Sequence, residues 1–136
     1  MADAVTSQLL FDGPRNVVMK FTNLSDGTGE SAVKKVDVTT LSPNPGTSLR
    51  ITRIIFDINA GADSTTNADP TVTLLWEASA NVTLAVLSGY GDTIEMEEGP
   101  GIVNTKAAGA TGSILFTTGN FTTGVSYTIT LYMKKN

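Results

Sequence analysis

The chain contains no cysteine and no histidine, and these two absences remove more chemistry than any other feature of its composition. Ser-His-Asp triads, Cys-His dyads, thiol redox centres and nearly all zinc sites need a thiolate or an imidazole. Disulfides need paired thiols. Charge is also scarce: 16% of the 136 residues are Asp, Glu, Lys or Arg, against about 25% in an ordinary globular chain. The 9 basic and 13 acidic residues leave a net charge of -4, so a protein whose main task is gripping nucleic acid through a clustered cationic face is not expected. No apolar run approaches the roughly 20 residues that a membrane-spanning helix needs. The opening MADAVTSQLLF carries Asp3 where a secretory leader wants positive charge, and no such leader is expected. Missing cysteine suits a reducing cytosol and equally a particle that meets both redox environments.

What is present is 40% apolar residues, too many for a disordered chain, in a length that supports one domain with a real core. Apolar and polar residues alternate with period two, the signature of strands half-buried on a core. In Val125 to Lys134 the apolar positions Val125, Tyr127, Ile129, Leu131 and Met133 share one face. Asn16 to Thr22 repeats this with Val17, Met19 and Phe21. Val72, Leu74 and Trp76, followed across Ala78-Ser79-Ala80 by Val82, Leu84 and Val86, read as a hairpin. Ile114 and Phe116 mark a further strand, and Val33 to Val38 and Val5 to Leu10 are weaker candidates. Parity switches between Leu49 and Ile51 on one side and Ile54, Phe56 and Ile58 on the other. That switch predicts a β-bulge around Thr52 to Ile54, or else a strand centre buried on both faces with Ile55 packed as well.

Turn chemistry separates these runs at Asp12-Gly13-Pro14, Asp26-Gly27-Thr28-Gly29, Pro43-Asn44-Pro45-Gly46, Gly89-Tyr90-Gly91 and Gly99-Pro100-Gly101. No stretch holds a helical period. About eight antiparallel strands with short connections predict an all-β, single-domain β-sandwich of the jelly-roll kind. Residues 1-11 stand apart as an N-terminal arm or first strand, and 12-136 form the sandwich. The expected core contains Val17, Met19, Phe21, Ile51, Phe56, Leu74, Trp76, Leu84, Val86, Ile114, Phe116, Tyr127, Ile129 and Leu131.

Candidate sites are few. The glycine pairs at Gly27-Thr28-Gly29 and Gly89-Tyr90-Gly91 lack the Lys-Ser/Thr and the helix of a phosphate loop, and read as turns. Asp63, Asn67 and Asp69 supply oxygens for a calcium ion but match no defined calcium loop, and a solvated loop with Asx turns is the plainer reading. Asp92, Glu95, Glu97 and Glu98 form the densest acidic group. Glu95, Glu97 and Glu98 are candidates for a partner contact, Glu95 and Glu97 sharing one strand face if the segment is extended, whereas a glycosidase would also need a cleft with aromatic platforms. Trp76 fits the core better than a sugar platform. Lys34-Lys35 and Lys134-Lys135 are basic pairs without interleaved aromatics. No catalytic residue, metal or cofactor is expected. Gln8, Leu9, Leu10 and Phe11 are contact candidates, because so short a segment cannot bury its own apolar side chains. It either adds as a strand to a neighbour or is the first strand of its own sandwich.

From Asn16 to Leu41 the chain reads NVVMKFTNLSDGTGESAVKKVDVTTL, which resembles the opening of small virion proteins encoded beside the capsid genes of tailed bacteriophages. LRITRIIFDI, VTLLWEAS, the turn after LAVLSG and the closing GSILFTTGNFTTGVSYTITLYMKK are similar to that group in order and spacing, apart from a longer Ala60 to Pro70 insertion. The resemblance implies a head decoration, or cement, protein: a non-enzymatic jelly-roll-like sandwich, made in the host cytoplasm, that binds the major capsid protein on the exterior of the virion, commonly as a homotrimer. It implies no nucleic acid and no membrane partner. A head-to-tail or tail component, or a carbohydrate- or receptor-binding module, is the alternative role.

Overall fold

In the computed structural model, residues 4–41, 49–60, 69–89, 91–96, 99–104 and 107–135 are described. Alternation dominates the sequence, and strands dominate the fold. These are β1 (Ala4–Asp12), β2 (Asn16–Leu24), β3 (Val33–Val36), β4 (Leu49–Asn59), β5 (Thr71–Trp76), β6 (Val82–Leu87), β7 (Asp92–Glu95), β8 (Ile102–Val103), β9 (Ile114–Gly119) and β10 (Ser126–Lys135). Among the described residues the only helical turn is a short 3₁₀ segment, Val38–Thr40. Two strands beyond the eight expected, β7 and β8, are short pieces pairing with β4.

All pairings are antiparallel, in two sheets with strand orders β1-β2-β10-β4-β7 and β3-β9-β5-β6, with β8 on β4 beside β7. If β1 and β8 are set aside, the remaining eight strands pair first with last (β2 with β10), second with seventh (β3 with β9), third with sixth (β4 with β7) and fourth with fifth (β5 with β6). That is one long hairpin folded over and rolled into two four-stranded sheets, the jelly roll. Between the sheets lies one core containing Val17, Phe21, Ile51, Ile54, Leu74, Trp76, Ile114, Phe116, Tyr127, Ile129 and Leu131. Phe116 meets Phe21 and Tyr127 edge-on, with ring centroids 5.1 and 5.9 Å apart, the arrangement that aromatic quadrupoles favour.

Four strands slip register by one residue. On β4 the slip leaves Thr52 as the extra residue between Tyr132 and Met133 of β10, so the parity switch is a bulge. Ile55 is exposed rather than packed, which removes the two-faced alternative. On β6 the slip falls at Leu84, since Leu74 pairs with Ala85 and Leu75 with Thr83. The strand therefore turns over: Leu87 is buried and Val86 is 61% exposed, which corrects the assignment of Val86 to the core. Leu84 and Met19 are partly buried against the core rather than inside it. On β3 the slip lies between Lys34 and Val36 and turns Lys35 inward beside the already buried Val36. The fourth slip, on β1, lies between Leu9 and Phe11.

Gly101 is required where it stands. It has φ +76°, and a Cβ there would collide with the Ile51 carbonyl at the start of the β4 bulge, so a side chain would be both strained and obstructed.

Candidate functional site

Strand β1 is the edge of the larger sheet. Over Ala4–Leu9 and Phe11–Asp12 it pairs with β2, which makes residues 4–12 a strand of this molecule's own sheet. It is not a core strand. Val5, Ser7 and Leu9 lie opposite Asn23, Phe21 and Met19 and so share the core-facing side, but the second sheet ends at β3 and does not cover them. Val5, Leu9, Leu10 and Phe11 are 47%, 49%, 48% and 54% exposed. The slip at Leu10 moves Phe11 to the outer face opposite Val18, and the Phe11 ring lies where a Cβ on Gly13 would be, 2.8 Å away. The strand thus displays apolar groups on both faces. Its outer backbone edge carries neither lysine nor proline, so the slip at Leu10 is the one irregularity that interrupts it, and its one charge, Asp12, accepts from Lys135 Nζ at 2.6 Å. Gln8 is exposed on the outer face beside Lys20.

Of the acidic group, Asp92 and Glu95 are described, and each engages a neighbour in its own chain. Glu95, on β7, accepts from the Arg53 guanidinium at 2.8 Å, so its carboxylate meets an arginine of its own chain. Asp92 caps the backbone of Thr93 at 2.7 Å. Glu97, Glu98 and Tyr90 lie outside the described residues, as do Asp63 and Asn67 and the Pro43 to Gly46 turn. Asp69 is exposed, and its carbonyl accepts from Asn120 Nδ2 at 3.0 Å. Among the described residues no three Asp or Glu side chains converge to hold a metal. Trp76 is buried at the end of β5 and offers no platform. The Gly27-Thr28-Gly29 segment is a turn, with Asp26 Oδ1 accepting from the Thr28 amide and hydroxyl at 3.2 and 2.8 Å.

The lysine pairs conceal what sequence reading missed. In each, one lysine faces solvent and the next faces the interior. Lys35 is buried against Glu30, whose other carboxylate oxygen accepts from Tyr127 Oη at 2.6 Å and Asn23 Nδ2 at 2.8 Å. This closes a polar network beneath the β2–β3 connection in which the two buried charges are paired with each other. Lys135 likewise reaches inward to Asp12 and fastens the end of β1 to the last strand. The signal available was position: Lys135 falls on the apolar parity of β10, one step beyond Met133.

Among the described residues no strand packs on the outer face of the larger sheet, and its register sets side chains in rows. One row runs Asn16, Lys134, Arg50, Val103, and the next Phe11, Val18, Tyr132, Arg53, Glu95. A threonine row follows further on, Thr6, Thr22 and Thr128, with the first two hydroxyls bonded to each other. Arg53 lies over the Tyr132 ring, 5.1 Å from its centroid. A shallow groove of about 420 Å³ opens where Asn16, Val18, Thr52, Tyr132 and Lys134 meet.

No protein-family model, curated protein or solved structure matches this chain significantly.

Proposed function

We propose that this protein is a structural virion component, a head decoration protein that binds the outer surface of a tailed-phage capsid, as a homotrimer, and stabilises the shell by non-covalent contact. The resemblance of its segments to phage virion proteins suggests the setting, and the observation that carries the contact role is β1: a sheet edge with Val5, Leu9, Leu10 and Phe11 half exposed. Strand addition to such an edge gains affinity from backbone hydrogen bonds and selectivity from alternate side chains. Repeated over the copies of an icosahedral shell, weak contacts sum to a tight attachment. The jelly roll itself argues for no role, since the architecture hosts many.

Cosedimentation of the full-length protein with assembled heads of the phage that encodes it, followed by cryo-electron microscopy, tests this. The expected result is density outside the shell, lost in Leu9→Asp/Phe11→Asp while the protein stays folded. Density on the tail, or no association with virions, would overturn the decoration role.

A further inference from the structure

We propose that the outer face of the larger sheet, where Arg50 and Lys134 stand side by side, is a docking site for an acidic peptide segment. The inference is independent of the virion reading and does not use β1.

Arg50 on β4 is directly opposite Lys134 on β10, close enough that like charges repel. Their row offers no acid: Asn16 flanks Lys134 and Val103 flanks Arg50. In the next row the single carboxylate, Glu95, is engaged by Arg53. Elsewhere the described cations are answered: Lys34 by Glu77, Lys35 by Glu30, Lys135 by Asp12. Arg50 and Lys134 have no ion pair among the described residues, and the Arg50 Nε is shut off from solvent without a hydrogen-bond partner. Arg15, in the turn just before Asn16, and Lys20, further along β2, add to the positive potential of this end. A chain of net charge -4 has therefore gathered on one face cations that no described residue pairs.

The groove beside them selects among anions. A carboxylate meets the planar fork of Arg50 and the point charge of Lys134, with the Asn16 carboxamide alongside as a neutral donor. Val18 and the Tyr132 edge give the methylene stems of Glu side chains an apolar wall, which a free inorganic anion would not use. An extended peptide sets alternate side chains about 7 Å apart on one face, so an acidic segment delivers several carboxylates to one flat sheet. Single-stranded nucleic acid would instead need an open aromatic face for stacking, and Arg53 covers that of Tyr132.

Calorimetric titration of the full-length protein with hexaglutamate, at about 10 mM and about 300 mM salt, tests the site. Expected are saturable binding at low salt that weakens at high salt, about tenfold loss in Arg50→Gln/Lys134→Gln, substantial retention in Arg50→Lys, and no change in Lys34→Gln on the other sheet. Thermal unfolding of the double variant should show no loss of stability, because two repelling charges have been removed; Lys134→Gln alone gives the same reading through a single surface change. The proposal is overturned if hexaglutamate fails to bind at low salt, if the double variant binds it as well as the native protein, or if inorganic tripolyphosphate or a hexathymidylate binds the same residues more tightly.

Discussion

Strands β1 and β10 lie on either side of β2 and pair with it along nearly their whole lengths, yet they occupy opposite physical states. In β10 Tyr127, Ile129, Leu131 and Met133 are buried under the second sheet. In β1 Val5 and Leu9 sit on the same side of the same sheet and are half exposed, because no strand of the second sheet extends over them. Alternation therefore reports that a strand has an apolar face. It does not report whether this chain supplies the cover, and where the cover is missing the strand is an edge with affinity to spare.

The sharpest way to break this contrast is to shorten one side chain in each state. Phe116, which touches Phe21 and Tyr127 beneath β10, should cost about 3–5 kcal/mol as Phe116→Ala, since the cavity adds to the lost transfer energy. Leu9→Ala on β1 should stay within about 0.5 kcal/mol in the isolated protein. Urea denaturation measures both. Comparable losses would mean that β1 is covered in solution, as by a second copy.

The same contrast applies to ion pairs. Glu30→Gln keeps an acceptor for Tyr127 and Asn23 but leaves Lys35 as an uncompensated buried cation, and should cost about 3 kcal/mol. Glu95→Gln, which breaks the partly exposed pair with Arg53, should cost under about 1 kcal/mol. Equal values would place water or another counterion beside Lys35. Lys35→Met/Glu30→Gln sharpens the point, since it keeps the acceptor for Tyr127 and Asn23 while removing the buried cation: if the pair serves to fix the β2–β3 connection rather than to stabilise it, this variant regains most of the stability lost in Glu30→Gln.

The elements legible in the sequence were those governed by local rules. The alternation of β2 and β10, the β5–β6 hairpin and the bulge at Thr52 all follow from parity, which any neighbour-by-neighbour reading detects. The strand turnover in β6 was not legible, because Leu84 looks like any other apolar residue until its partners on β5 are known. The short strands β7 and β8, of four and two residues, are too short to show an alternation. Strand order depends on pairings between distant segments, as does the Asp12–Lys135 contact across 123 positions, and no local pattern encodes them. For the candidate surfaces, the sequence singled out Gln8 to Phe11 but not Arg50 and Lys134, which are 84 positions apart in numbering yet adjacent in register.

The smallest expected effect belongs to a carboxylate that is neither buried nor a member of the ion pairs above: it caps a single turn. Asp37 precedes the 3₁₀ turn Val38–Thr40, and its Oδ1 accepts from the Thr39 hydroxyl at 2.6 Å and the Thr39 amide at 3.0 Å. The hydroxyl bond first, then the amide bond, with a lesser contribution from Lys34, holds its pKa below the ordinary aspartate value of 3.8, because each favours the ionised form. A carboxyl whose folded pKa is depressed binds fewer protons folded than unfolded. Its contribution to stability is therefore present above the unfolded pKa and lost as pH falls from that value through the folded one. Asp37→Asn keeps an acceptor for the Thr39 amide but carries no proton to titrate. The thermal midpoints of the native and variant proteins should accordingly differ by a constant small amount above about pH 5 and converge as the pH is lowered further. Carboxyl-detected NMR titration of Asp37 gives the direct check: a midpoint at or above that of an unstructured aspartate would show that the Thr39 bonds are not held in solution, and the convergence should then be absent as well.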